Sequence, residues 1–188
     1  MGGKKPIKIT LLCLLIGIII FGAVVGASYL PRRVQQVFSG VELLATDEGE
    51  FEFIRTLDIR INGRVFYGMF ASRPRFRGLF EVSGYSFTLG NEIDIFFDED
   101  FSKGSLMYVF AEFPGIGVAS FGTRPRIETL GWVDTDRYFS YLVIWVHEWE
   151  PHSDGGYISV NTNRIIVAPA VDADSAFELF SSFFLSFY

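Results

Sequence analysis

Both histidines of the chain, His147 and His152, fall in the stretch HEWEPHSD with Glu148, Glu150 and Asp154, the densest cluster of side chains able to hold a metal or move a proton. A zinc protease needs two histidines four apart on one helical turn, so that both nitrogens reach one ion. Here the spacing is five, Pro151 intervenes, and the stretch prolongs an apolar run that reads as a strand. On a strand, His147 points with Trp145 and Trp149 to one face and Glu148 with Glu150 to the other. The donors of the His147–Asp154 segment are therefore divided, and no metal or cofactor is expected.

Two acids on one face suggest glycoside hydrolysis, but those carboxylates flank the scissile bond across a cleft, which neighbours on one strand do poorly. A cell-envelope glycan hydrolase using Glu148 or Glu150 is thus the alternative to a non-catalytic role. DEDFSKGS places Asp98, Asp100 and Ser102 like the start of a calcium loop. Its Gly104 falls at position seven rather than six, and Val109 stands where the bidentate glutamate belongs, so it is no EF-hand. There is no G-x-S-x-G elbow and no glycine-rich phosphate loop. The one cysteine, Cys13, lies in an apolar leader, leaving the rest without a disulfide or a nucleophilic thiol. Trp132, Tyr138, Tyr141, Trp145 and Trp149 have the rigid contact area of a sugar or peptide platform, though core packing accounts for them equally well.

After Arg33 the chain holds 11 basic residues against 22 acidic ones, a net charge of −11. A nucleic-acid partner is excluded on this charge, because phosphate-backbone affinity requires a basic footprint. Within that acidic background, Arg-Pro-Arg occurs twice, at residues 73–75 and 124–126. Arg73, Arg75, Arg124 and Arg126 are the expected contacts for an acidic protein or glycan partner. The motifs sit in FASRPRFRGL from Phe70 and FGTRPRIETL from Phe121, a similarity that raises duplication of one β-unit.

Thr10 to Leu30 is a run of 21 uncharged residues, long enough at 1.5 Å per residue to cross a bilayer core of about 30 Å. Residues 1–30 are expected to form a single-pass signal-anchor. Lys4, Lys5 and Lys8 before it, against Arg32 and Arg33 after it, place the N-terminus in the cytoplasm and the body outside. Val25 and Ala27 offer the competing outcome, cleavage before Ser28 and secretion. Gly22 and Gly26 form a G-x-x-x-G that could support weak homo-association in the membrane, and with it a structural role in a membrane complex.

Residues 31–50 read as a juxtamembrane segment, with Val34, Val37, Phe38 and Val41 at helical spacing up to Gly40. Residues 51–188 form the extracytoplasmic domain. Leu57, Ile59 and Ile61 alternate with Asp58 and Arg60, and Asn62-Gly63 signals a hairpin. Further strands are expected in GLFEVSG, SFTLG, EIDIFFD, SLMYVFAEF, GVASFG, RYFSYLVIWVHEW, GYISVN and RIIVAPA, with Asn161-Thr162-Asn163 as one of the turns. Residues 141–146 are apolar on both faces, marking a strand covered on both sides. From about 173 to 187, Phe180, Phe183, Phe184 and Phe187 share one helical arc opposite Ser175, Glu178, Ser182 and Ser186. The expected fold is mainly β: an antiparallel sandwich or barrel of eight to ten short strands, with an N-terminal transmembrane helix and a C-terminal amphipathic helix. The expected function is that of a non-catalytic binding or envelope-associated module.

Overall fold

The computed structural model describes residues 14–22, 26, 30–46, 49–67, 73–98, 102–110, 126–151 and 157–185. Eight strands follow one another: β1 (Arg32–Ala45), β2 (Phe51–Phe66), β3 (Arg75–Val82), β4 (Glu92–Phe96), β5 (Lys103–Phe110), β6 (Arg126–Thr135), β7 (Leu142–Pro151) and β8 (Tyr157–Ala168). They form one antiparallel sheet in the order β4-β3-β2-β1-β8-β7-β6-β5. Its edges, β4 and β5, meet through the bridge Phe97↔Gly104, so the sheet curls into a nearly closed up-and-down barrel. One end, here the near end, gathers the start of β1 and the end of β8; the far end gathers the end of β1 and the start of β2.

An eight-stranded barrel encloses a space that side chains alone can fill. Ile59, Ile61, Phe76, Phe80, Ile95, Phe97, Leu106, Tyr108, Ile144 and Ile166 occupy it, all essentially without exposure. At the near end the turn after β6 inserts Phe139, whose ring lies 5.4 Å from Phe76 and 5.8 Å from Phe97. The Asp136 carboxylate holds that turn by accepting the backbone N–H groups of Tyr138 and Ser140 at 3.1 and 2.7 Å. At the far end a 3-10 turn, Ser86–Thr88, folds back so that Phe87 meets Tyr108 edge-on at 5.5 Å.

A second core lies outside the barrel. Helix α2 (Ala173–Leu185) packs Ala176, Leu179, Phe180 and Phe183 against Val41, Leu43, Val143, Trp145, Ile165 and Val167 of β1, β7 and β8. This is the sheet-covering helix the phenylalanine arc implies, and it makes β7 apolar on both faces. Asp172 caps it: its Oδ1 accepts the Ser175 N–H at 2.8 Å, while the Ser175 hydroxyl accepts the Asp172 N–H at 3.2 Å.

Several expectations are corrected. Residues 32–45 are strand β1, not a juxtamembrane helix. Val34 and Phe38 face the lumen while Val41 and Leu43 lie under α2, so apolar residues occur on both faces and mimic helical spacing. Asn62-Gly63 is no turn, since β2 runs through it. Gly63 pairs with Gly78, and a Cβ on Gly63 would sit 2.6 Å from the Phe76 ring; the glycine makes room for that ring. SFTLG is the 3-10 turn, and GVASFG lies outside the described residues. Asn161-Thr162-Asn163 is likewise continuous strand, carrying a bulge with Asn163 at φ 57°. The expected N-terminal transmembrane helix falls partly on residues outside those described; of it, residues 14–22 and 26 are described and are helical (α1). No helix among the described residues is long and apolar enough to cross a membrane. The cleavage position before Ser28 lies outside those residues.

Two outcomes check this account. A Cβ on Gly104 would stand 2.5 Å from Ile95 Cγ2 and 2.9 Å from the Phe97 ring, so Gly104→Val forces the barrel closure apart and lowers unfolding free energy by about 1–3 kcal/mol in urea titration. Hydrogen bonds from Ser175 hold the Asp172 carboxyl below its ordinary range. Its cap therefore stabilises fully above the unfolded carboxylate pKa and is lost as pH falls through the depressed folded value. Asp172→Ala should melt lower than the parent at neutral pH, and the difference should close on acidification; a gap unchanged by acid refutes the cap.

Candidate functional site

Glu42 is the one charged side chain with no exposure among the described residues. Strand β1 turns it into the far end of the lumen, directly across from Arg55 of β2 and beside Ile166 of β8. Arg55 Nε donates to Oε2 at 2.6 Å, Tyr85 Oη donates to Oε1 at 2.7 Å, and Arg164 of β8 completes the ring of donors through Nη2. The Tyr85 ring also lies 5.3 Å from the Arg55 guanidinium and 6.0 Å from that of Arg164. Tyr85 is placed by the turn at Gly84, whose φ of 87° and contact with Arg55 leave no room for a side chain. Hydrogen bonding to Glu42 raises the Arg55 pKa; burial, then Glu42, pushes the Tyr85 phenol well up. With both oxygens occupied by donors and the phenol held neutral, the cluster is a polar plug rather than an acid–base pair. Nothing in the sequence marks it except an acid inside the apolar run VELLA.

The residues singled out by type and spacing are dispersed. Arg75 is committed to the Asp94 carboxylate, Nε to Oδ1 at 2.6 Å, and Arg73 is exposed. Arg126 opens β6 opposite Phe110, while Arg75 pairs with Phe96 next to the closing bridge. From Gly104 of that bridge to Phe110 is six steps along β5, roughly 20 Å. Arg75 and Arg126 thus begin strands of opposite sense at opposite ends of the barrel and do not occupy equivalent places in a repeat. Arg124 lies outside the described residues, as do His152, Asp154 and the side chains of Glu148, Glu150 and Trp149. Burial and the Lys103 charge lower the His147 pKa. Among the described residues, no three metal-ligating side chains come together. Asp98 closes the β4–β5 turn by accepting the Ser102 and Lys103 N–H groups at 2.8 and 3.1 Å.

The aromatic platform is also divided. Trp145 and Tyr141 lie under α2, 5.9 Å from Phe180 and 5.1 Å from Phe183. Trp145 Nε1 donates to Asp134 at 2.6 Å, and burial raises the Asp134 pKa against that bond. Trp132 stands outside, with Lys103 Nζ 5.7 Å from its ring, and Tyr138 lies between Arg32 and Arg137 at 4.5 and 4.6 Å.

What the geometry assembles instead is a groove of about 480 Å³ along the β4–β5 seam, lined by Arg77, Glu92, Asp94, Phe96, Ser105, Met107 and Val109. Below it Ile93, Ile95, Leu106 and Tyr108 are buried; side chains seal the seam. Backbone does not: among the described residues the two strands pair only at Phe97↔Gly104. Phe96, Met107 and Val109 stand exposed beside these edges, and Ile127 of β6 next to Val109. An added strand could use such edges for main-chain hydrogen bonds and such side chains for apolar contact. The chain matches no protein-family model, no curated protein sequence and no solved structure.

The plug predicts a measurable cost. Glu42→Gln leaves two guanidiniums facing a neutral amide, and should lower unfolding free energy by about 3 kcal/mol, the low end for a broken buried pair because both arginines remain partly in water. Urea midpoints with a constant m-value check it; a shift under about 0.5 kcal/mol would show that the charge holds nothing together.

Proposed function

We propose that this chain is a non-catalytic binding module, held at a membrane by its N-terminal apolar segment, that takes an extended segment of a partner protein as a strand at the β4–β5 seam. The observation carrying this reading is the seam itself: two backbone edges bridged at one rung above a sealed core, with Phe96, Met107 and Val109 exposed beside them. The filled lumen favours recognition on the outer wall over enclosure of a small ligand. The anchor rests on the uncharged run from Thr10 to Leu30 and on the exposed apolar side chains of α1, among them Leu14, Ile19 and Phe21.

Screening the full chain in detergent against a library of extended peptides tests the reading. Binders should slow amide hydrogen exchange in β4 and β5, and Met107→Lys with Val109→Lys should abolish binding with the melting temperature unchanged, since both side chains are exposed. Binders that protect other strands, or that survive both lysines, refute it.

A further inference from the structure

The outer wall of the barrel carries a row of like charges that the fold itself does not require. Arg33 of β1 pairs across to Arg64 of β2, and Arg64 to Arg77 of β3. All three are exposed on the face opposite the buried Val34, Val65 and Phe76. Side chains directly opposite on neighbouring strands stand about 5 Å apart, where like charges repel. The acids beside the row offset only its Arg77 end, and weakly. Asp94, cross-strand from Arg77, is taken by Arg75; Glu92 reaches Arg77 only at 4.0 Å, with both side chains mostly in water. Among the described residues, neither Arg33 nor Arg64 forms an ion pair. A chain with twice as many acids as bases after Arg33 has nonetheless set three arginines in register.

The row also stands where the apolar segment meets the barrel, towards the near end: Leu30 and Pro31 lead into β1 at Arg32 with no linker. Arg33 is three residues beyond the last apolar residue, at most about 10 Å along the chain. Arg32 and Arg137 flank Tyr138 at the same end, an arrangement of guanidinium and phenol suited to a headgroup layer.

We infer that Arg33, Arg64 and Arg77 form a seat for anionic phospholipid headgroups, which sets the barrel against the membrane surface near end first. The inference rests on the anchor reading above; Arg77 is shared with the seam groove, Arg33 and Arg64 are not. Phosphate groups of the leaflet supply the negative charge that Arg33 and Arg64 lack within the fold, and their attraction adds to that of the apolar segment.

The test uses the full chain with Cys13→Ser and a fluorophore at Asn62→Cys, an exposed position two rungs from the row. It is reconstituted in vesicles of phosphatidylcholine alone or with phosphatidylglycerol, each containing a headgroup-labelled quencher. Quenching should be stronger in the anionic vesicles and weaken at high salt. The triple change Arg33→Gln, Arg64→Gln, Arg77→Gln should remove the contrast, with the anionic preference falling at least about tenfold. The variant should melt no lower than the parent, because it relieves repulsion; if it folds poorly, Arg64→Gln alone, at the centre of the row, gives the same readout in smaller degree. Equal quenching in both bilayers, or a contrast that survives the triple change, overturns the seat. Loss of the contrast to inorganic phosphate at constant ionic strength overturns the lipid assignment in favour of a free anion. An alkaline wash separates the two readings: a chain stripped from both vesicles refutes the anchor, while its preference for anionic over neutral vesicles before the wash still reads the seat.

Discussion

The structure depends on filling the barrel lumen with side chains. Eight strands leave a space of fixed width, and this sequence fills it largely with rings: Phe76, Phe80, Phe97, Tyr108 and Phe139 are each almost wholly buried. Rings of that size require local concessions from the backbone. Gly63 stands under the Phe76 ring, and Gly104 stands where Ile95 and Phe97 reach across from β4. The second of these decides the topology, because it lets two strands that share one bridge approach closely enough for their inward side chains to close the wall. A filled lumen is the reason the recognition proposed for this chain lies on the outer wall.

The two ends of that lumen are finished by different chemistry. The near end takes an aromatic stopper, Phe139, whose positive φ of 55° is held by the Asp136 turn. The far end takes Glu42 and its three donors. Placing a carboxylate where it has no exposure is costly unless each oxygen is matched; here the matching groups come from β2, from β8 and from the turn after β3, so one residue ties three parts of the chain at the end where the strands diverge. The outer core under α2 does the same work for β1, β7 and β8 from the other side. Where α2 covers them, the far part of β1 and strands β7 and β8 are buried on both faces, while the near part of β1 and β2 to β5 present a polar or open outer wall, and the functional candidates all lie on that less covered half.

How far the sequence reveals this follows the same division. Strands with one wet face are legible: Leu57, Ile59 and Ile61 alternate cleanly because Asp58 and Arg60 meet water. Strand β1 is not legible, since α2 covers Val41 and Leu43 while Phe38 faces inward, and alternation degenerates into apparent helical spacing. Asn62-Gly63 and Asn161-Thr162-Asn163 carry turn chemistry, yet one serves close approach of a ring and the other a bulge; composition cannot separate these uses from a turn. Helix α2 is legible because its arc and its Asp172 cap are local. The plug and the seam are not, because Glu42 acquires meaning only from residues far along the chain, and the seam arises from which two strands end up as neighbours. The arginine row shows the same limit: Arg33, Arg64 and Arg77 are unremarkable apart, and register alone makes them a row.

The seam and the row also constrain each other. The rung Phe97↔Gly104 lies at the near end, so β4 and β5 are tied there, and their edges are left without a mutual rung towards Glu92 and Phe110. A barrel seated near end first on headgroups would keep its tied end at the surface and direct its open edges away from it. The acids exposed towards the far end, Glu50, Glu52 and Glu92, would then point away from anionic lipid, while Asp98 and Asp136 stay at the near end in its turns, so the orientation depends on the arginines outweighing them there. A strand arriving from solution would meet the groove from its open end, with β4 and β5 offering main-chain groups on both sides. Had the charges been reversed along the barrel axis, the same apolar segment would have pulled an acidic surface onto the membrane and turned the groove towards it.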